Sequence, residues 1–205
     1  MSGLSLMLMI GIGVFWLQTS EQRRRVGLLA KHLAPTQVEK ILGTLIDGYL
    51  QALEEKDPQR QQHAWEVLTR QEQQLVEQFQ RFVDGFAKES AEDTRVSTLP
   101  LSLPFFDRLF PAYTFDMRKA LALHAEAIRA ACAPPEVQGD ARRDLAFTMT
   151  AELLLMQHTC HWFGKTRTIA SVRLLTRHKT QYEQVLESVQ PGTRRAYLKL
   201  IGSVA

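Results

Sequence analysis

Residues 140–163 read DARRDLAFTMTAELLLMQHTCHWF, and the reading of this stretch decides the fold. Leu153, Leu154, Leu155 and Met156 run together, so no single polar face survives through the middle of the segment. A helix that is apolar on most sides belongs at the centre of a bundle, where neighbours cover it all round. Glu152 and the polar residues near its end make it too polar to cross a bilayer. Asp140 is placed to cap its start and Gly164 its end.

Working outward, the flanking segments keep helical periods. Tyr113–Cys132 sets Met117, Leu121, His124 and Ile128 on one side and stops at Ala133-Pro134-Pro135. Thr166–Val189 carries Ile169, Val172, Leu175, Tyr182, Leu186 and Val189 and is expected to form one amphipathic helix, followed by a short basic one after Pro191-Gly192. Further upstream, Val38, Ile41, Leu42, Leu45, Ile46, Tyr49 and Leu53 define another apolar face, with Thr36 and Glu39 at capping-box spacing before it. Asp57-Pro58 separates it from a Gln- and Glu-rich stretch, 59–88, whose Trp65, Leu68, Leu75, Phe79, Phe82 and Phe86 form a near-heptad seam. Glu72 occupies a position in that seam where another apolar residue fits. The seam packs on the preceding helix or on a second copy of the chain as a coiled coil, and so serves as a possible homo-oligomer surface.

Residues 90–111 form the one long non-helical region, because Pro100, Pro104 and Pro111 break any regular helix. Leu101, Leu103, Phe105, Phe106, Leu109 and Phe110 in it need a dry environment: the end of the bundle, a partner protein or the membrane interface. No strand-like alternation competes with the helical periods, and the chain is expected to be all-α.

The first twenty residues, MSGLSLMLMIGIGVFWLQTS, contain no charged side chain. At about 1.5 Å per residue, twenty helical residues cover a hydrocarbon core of roughly 30 Å. No basic residue precedes the apolar run, and no small-x-small cleavage site follows it, so an uncleaved anchor is expected rather than a signal peptide. Trp16 suits the headgroup layer, and Arg23, Arg24 and Arg25 mark the cytoplasmic flank. The expected organisation is a transmembrane anchor at 1–22, a basic juxtamembrane helix at 23–34 and a bundle of about five helices at 35–205. The localisation this implies is the inner membrane, single-pass, with the C-terminal domain cytoplasmic. Cys132 and Cys160 are too few for a secreted disulfide scaffold and agree with a reducing compartment.

Composition narrows the function classes. The 205 residues carry 25 Lys and Arg against 22 Asp and Glu, a net charge of +3 that does not by itself argue for nucleic acid. Base is nonetheless concentrated toward the C-terminus, where Arg173, Arg177, Lys179, Arg194 and Arg195 outnumber the acids and form a candidate patch for acidic protein, phospholipid headgroups or nucleic acid. No recognition helix with base-reading residues accompanies it, so specific nucleic-acid binding is not expected.

Chemistry concentrates in Gln157-His158-Thr159-Cys160-His161-Trp162. His158 and His161 project from neighbouring points of one helix face, and His124 approaches if the two helices form a hairpin. With Cys160 these residues make a candidate zinc or heme site. Paired Cys or His modules, any Glu-x-x-His and Cys-x-x-Cys-His are all missing, as are nucleophile elbows and phosphate loops. The sequence therefore reads as a membrane-anchored, non-enzymatic scaffold that recruits or assembles other proteins, with no cofactor. The alternative is a membrane-associated metal or heme enzyme or sensor built on His124, His158 and His161.

Overall fold

In a computed structural model of the chain, residues 3–100, 106–134 and 136–202 are described, with side chains from Met7 onward. Among these residues the protein is all-α apart from one two-stranded ribbon. Its elements are α1 (Gly3–Leu33), α2 (Val38–Glu54), α3 (Pro58–Phe86), β1 (Arg95–Ser97), α4 (Phe106–Leu109), a 3-10 turn at Pro111–Tyr113, β2 (Thr114–Asp116), α5 (Met117–Ala131), α6 (Gly139–Gly164), α7 (Arg167–His178), α8 (Tyr182–Ser188) and α9 (Pro191–Leu200).

The segment 140–163 is the central helix. α6 packs against α1, α2, α5, α7 and α8, and its Met149, Leu153, Leu155 and Phe163 are fully buried. Each such side chain contributes on the order of 1.5–3 kcal/mol from burial alone, before the entropy of ordering it. α2 and α3 form an antiparallel hairpin around Asp57, whose carboxylate accepts from the Gln59 and Arg60 backbone N–H groups while Pro58 fills the first turn. The two helices approach closely at Gly48, where a Cβ would lie 2.6 Å from Leu68 Cδ2. α5 closes the far side of α3, and α9 packs on α5.

The seam on α3 faces inward. Leu68, Leu75, Phe79, Phe82 and Phe86 are buried in the core of this one chain, so the seam is not available for a coiled coil with a second copy. Antiparallel packing won because the Asp57-Pro58 connection is too short to send α3 elsewhere.

Local chemistry also differs from expectation at several points. Thr36 does not start α2; its hydroxyl and its backbone N–H both donate to the Leu33 carbonyl, at 2.7 and 2.8 Å, and so finish α1. Asp140 lies in the first turn of α6 rather than at its cap. The expected helix 166–189 is two helices, because Lys179 adopts a left-handed conformation (φ 56°) after α7 and the chain restarts at Tyr182. No Gly or Pro marks that break.

Strands appear where none was expected. β1 and β2 pair antiparallel with Val96 opposite Phe115, both buried. Three residues are too short for an alternation to show in sequence. The ribbon closes the excursion between Thr98 and Tyr113 and is pinned to the end of α6. Trp162 Nε1–H donates to the Ser97 carbonyl at 3.0 Å, and Phe115 packs edge-on against the Trp162 ring.

Candidate functional site: an exposed apolar stalk and the collar beneath it

α1 is one continuous helix of 31 residues with two different surroundings. Its first half leaves the bundle: Met7, Leu8, Met9, Ile10, Ile12, Val14, Phe15, Trp16 and Leu17 are all exposed, Met7 to 76 % and Trp16 to 69 %. These positions cover every angle of the helix, so the stalk has no polar face to offer water. The second half packs on α3 and α6 through Leu28, Leu29 and Leu33. Among the described residues no helix is long and apolar enough to cross a membrane; in α1 the described side chains begin at Met7. The expected boundary between an anchor and a separate basic helix near residue 22 is not a break in the chain's conformation.

The arginines at the junction hold the bundle together. Arg24 pairs with Asp93, and Arg25 reaches both Glu21 at 3.0 Å and Asp107 at 3.1 Å. The Arg24 guanidinium holds the Asp93 carboxyl below the usual carboxylate range. Lower on α1, Lys31 and His32 converge on Glu89 at 2.8 and 2.6 Å, and Lys165 donates to the Gln22 carboxamide at 2.9 Å. These contacts fix the collar of charged and polar groups at the base of the stalk. Of the three arginines read as the cytoplasmic flank, two are engaged within the protein, and Arg23 remains exposed.

Asp107 also carries the apolar connection to this collar. It is buried, and its pairing with Arg25 seats α4 beside α1. The Phe106 and Phe110 rings stack at 4.9 Å, while Leu109, Phe110 and Tyr113 stay exposed, Leu109 to 69 %. Leu101, Leu103 and Phe105, expected to share this surface, lie outside the described residues.

The histidines do not converge. His124 is buried on α5, and its Nε2 lies 2.9 Å from Thr159 Oγ1. Thr159 gives its one hydroxyl proton to the Leu155 carbonyl, so the imidazole N–H and the Tyr197 hydroxyl both donate to the threonine oxygen. His158 Nε2 meets Ser171 Oγ at 3.0 Å, and its ring stacks on Tyr182 at 4.4 Å. Burial lowers both histidines to about 3, which keeps them neutral. His161 Nδ1 instead accepts from Arg173 at 3.2 Å. Burial pushes the Cys160 thiol up to about 12, and it donates to Met156 sulfur. Among the described residues no three His, Cys, Asp or Glu side chains are placed to hold a metal ion. The four residues expected as a zinc or heme set therefore do not converge: His124 is partnered across α5 and α6, His158 and His161 by residues of α7, and Cys160 within α6.

The basic patch is divided as well. Arg173, Arg177 and Lys179 lie on and just after α7, which packs on α6; Arg194 and Arg195 lie on α9, which packs on α5. All five side chains are exposed.

Sequence reasoning missed a buried ionic centre altogether. Glu72, fully buried on α3, accepts from Arg142 Nη2 at 2.7 Å, from the Tyr49 hydroxyl at 2.7 Å and from the Ala133 backbone N–H at 3.2 Å. The Trp65 ring lies 4.8 Å below the Arg142 guanidinium. Burial, then the neighbouring Glu72 charge, raises the Tyr49 hydroxyl far above its ordinary value. The only signal was Glu72 itself, an acid on the apolar seam; its partner is seventy residues away.

Comparison of the chain with protein-family models, with curated proteins and with solved structures finds no match.

Proposed function

We propose that the chain is a membrane-tethered helical bundle that assembles partner proteins rather than catalysing a reaction. The observation that carries this reading is the stalk, whose apolar side chains from Met7 to Leu17 point outward on every face of a helix whose other half is core. Exposed apolar surface of this extent is stable only against another apolar phase or surface. The uncharged run 1–20 is long enough, at about 1.5 Å per residue, to enter most of a hydrocarbon core of roughly 30 Å. With Arg23 exposed at its base, the bundle lies on the cytoplasmic side of the inner membrane. Leu109, Phe110 and Tyr113, seated next to the collar, supply a docking surface close to the bilayer.

Membrane fractionation with an alkaline carbonate wash, combined with protease accessibility of a C-terminal tag in spheroplasts, tests the tether and its direction. Retention through the wash with a protected tag is expected. Release into the soluble fraction overturns the tether; retention with a digested tag overturns the orientation.

A further inference from the structure

Between α6 and α7 lies a cavity of about 300 Å³ lined by His158, His161, Arg173, Arg177 and His178, together with Gln157 and three α7 residues, and by no acidic side chain. We propose that this cavity is a binding site for a phosphate group. Arg173 and Arg177 are one helical turn apart on α7, and neither makes an ion pair with an acid among the described residues. Their guanidinium groups present planar forks of N–H donors, which match the oxygens of a phosphate. Arg173 gives one donor to His161 Nδ1 and keeps the others.

The opposite wall carries an unpartnered buried group. His158 is 1 % exposed, Nε2 is engaged by Ser171, and Nδ1 has no partner although it is fully buried. A buried ring nitrogen without a partner costs free energy, and sites that wait for a ligand leave such groups. The local field has the matching sign. His161 is held below its ordinary value first by burial and then by Arg173 and Arg177, and His178 by burial and then by Arg177. The same excess of positive charge repels a metal cation and attracts an anion. A phosphate offers more acceptor oxygens than a carboxylate, which suits two guanidinium forks and two imidazoles better.

The site adjoins a second, larger and mainly apolar groove of about 1010 Å³ between α1, α2 and the end of α6, which shares His161 and Arg173. Phosphate can thus arrive either free or as the headgroup of a lipid whose chains use that groove. The inference does not depend on the tether.

Calorimetric titration of the full chain in a nonionic detergent tests it, using inorganic phosphate, dihexanoyl phosphatidic acid and dihexanoyl phosphatidylcholine as probes. Saturable binding of inorganic phosphate identifies a free-phosphate site. Saturable binding of phosphatidic acid but not of inorganic phosphate or phosphatidylcholine identifies a lipid headgroup site. In either case R173Q/R177Q is expected to weaken binding about tenfold or more, since each lost charge-assisted hydrogen bond is substantial. The charge-matched variant R194Q/R195Q on α9 is expected to bind as the wild type does. The proposal is overturned if inorganic phosphate and phosphatidic acid both fail to bind saturably, or if R194Q/R195Q loses as much affinity as R173Q/R177Q.

Discussion

Two regions of this protein reverse the usual distribution of polar and apolar groups, and they reverse it in opposite senses. On the stalk of α1, large apolar side chains face outward all round the helix. Where α2, α3 and α6 meet, a carboxylate, a guanidinium and a phenol are shut away from water. The interior reversal is answered locally, since Glu72 receives three hydrogen bonds and Arg142 stacks on Trp65. The exterior one has no answer among the described residues. Buried charge that meets its counter-charge calls for nothing from outside; exposed apolar surface does, and that is why the functional reading rests on the stalk.

Acid breaks the interior side most. His124 and His158 are held neutral at about 3, below the ordinary 6.5, so their contribution is present above pH 6.5 and is lost as the pH falls toward 3. Each histidine accounts for on the order of 5 kcal/mol of that loss. Urea denaturation at a series of pH values is expected to show the decline, and a His158→Gln variant to show a shallower one. An unchanged slope would mean that His158 takes up its proton without unfolding.

Charge placed on the stalk breaks the exterior side. Ile10→Lys combined with Ile12→Lys costs about 2.5–3.5 kcal/mol per lysine at a bilayer centre. Carbonate-resistant retention is expected to fall sharply, while the thermal stability of the bundle moves by less than about 0.5 kcal/mol. A parallel fall in bundle stability would show that the stalk packs on its own protein.

Removing one partner from the ionic centre sharpens the contrast. Glu72→Ala leaves Arg142 buried and unpaired, and is expected to destabilise the chain by about 3–5 kcal/mol. Replacing both, as E72L/R142M, is expected to recover most of this by urea denaturation, because the pair is not required once neither charge is present. Smallest is Arg25→Ala at the collar, which leaves buried Asp107 without its cation and costs about 2 kcal/mol. Protease sensitivity around α4 is expected to rise with it.

The fold class was legible because α6 is apolar on most sides and the helices around it keep helical periods. Burial follows those periods on α2, α3 and α5, but on α7 the expected Ile169, Val172 and Leu175 are exposed while Ala170 and Leu174 are buried. What was not legible depends on short or distant relations. Three-residue strands such as Arg95–Ser97 carry no measurable alternation. The break at Lys179 is made by a left-handed backbone at a residue type that seldom adopts it. Thr36 showed the right spacing for one helix start and serves the preceding helix end, since a hydroxyl can bond in either direction along the chain. The candidate site divides in the same way. The stalk was plain from composition, whereas the pairing of Arg24 and Arg25 with Asp93 and Asp107 joins residues far apart in sequence. His158 and His161 were singled out for a cation, and the arginines that reverse that expectation enter only when α7 folds back along α6.

The continuity of α1 has a mechanical consequence. One uninterrupted ladder of backbone hydrogen bonds, 31 residues and about 46 Å long at 1.5 Å per residue, joins stalk and bundle. It works as a shaft rather than a swivel, so the direction in which the stalk leans sets the direction in which α4 and the α6–α7 cavity face. The coupling is rotational as well. A single residue added between Ser20 and Glu21 turns the stalk by about 100° against the bundle, and two residues by about 200°, without altering either part. Phase along this shaft, and not only length, decides which side of the molecule meets its neighbours.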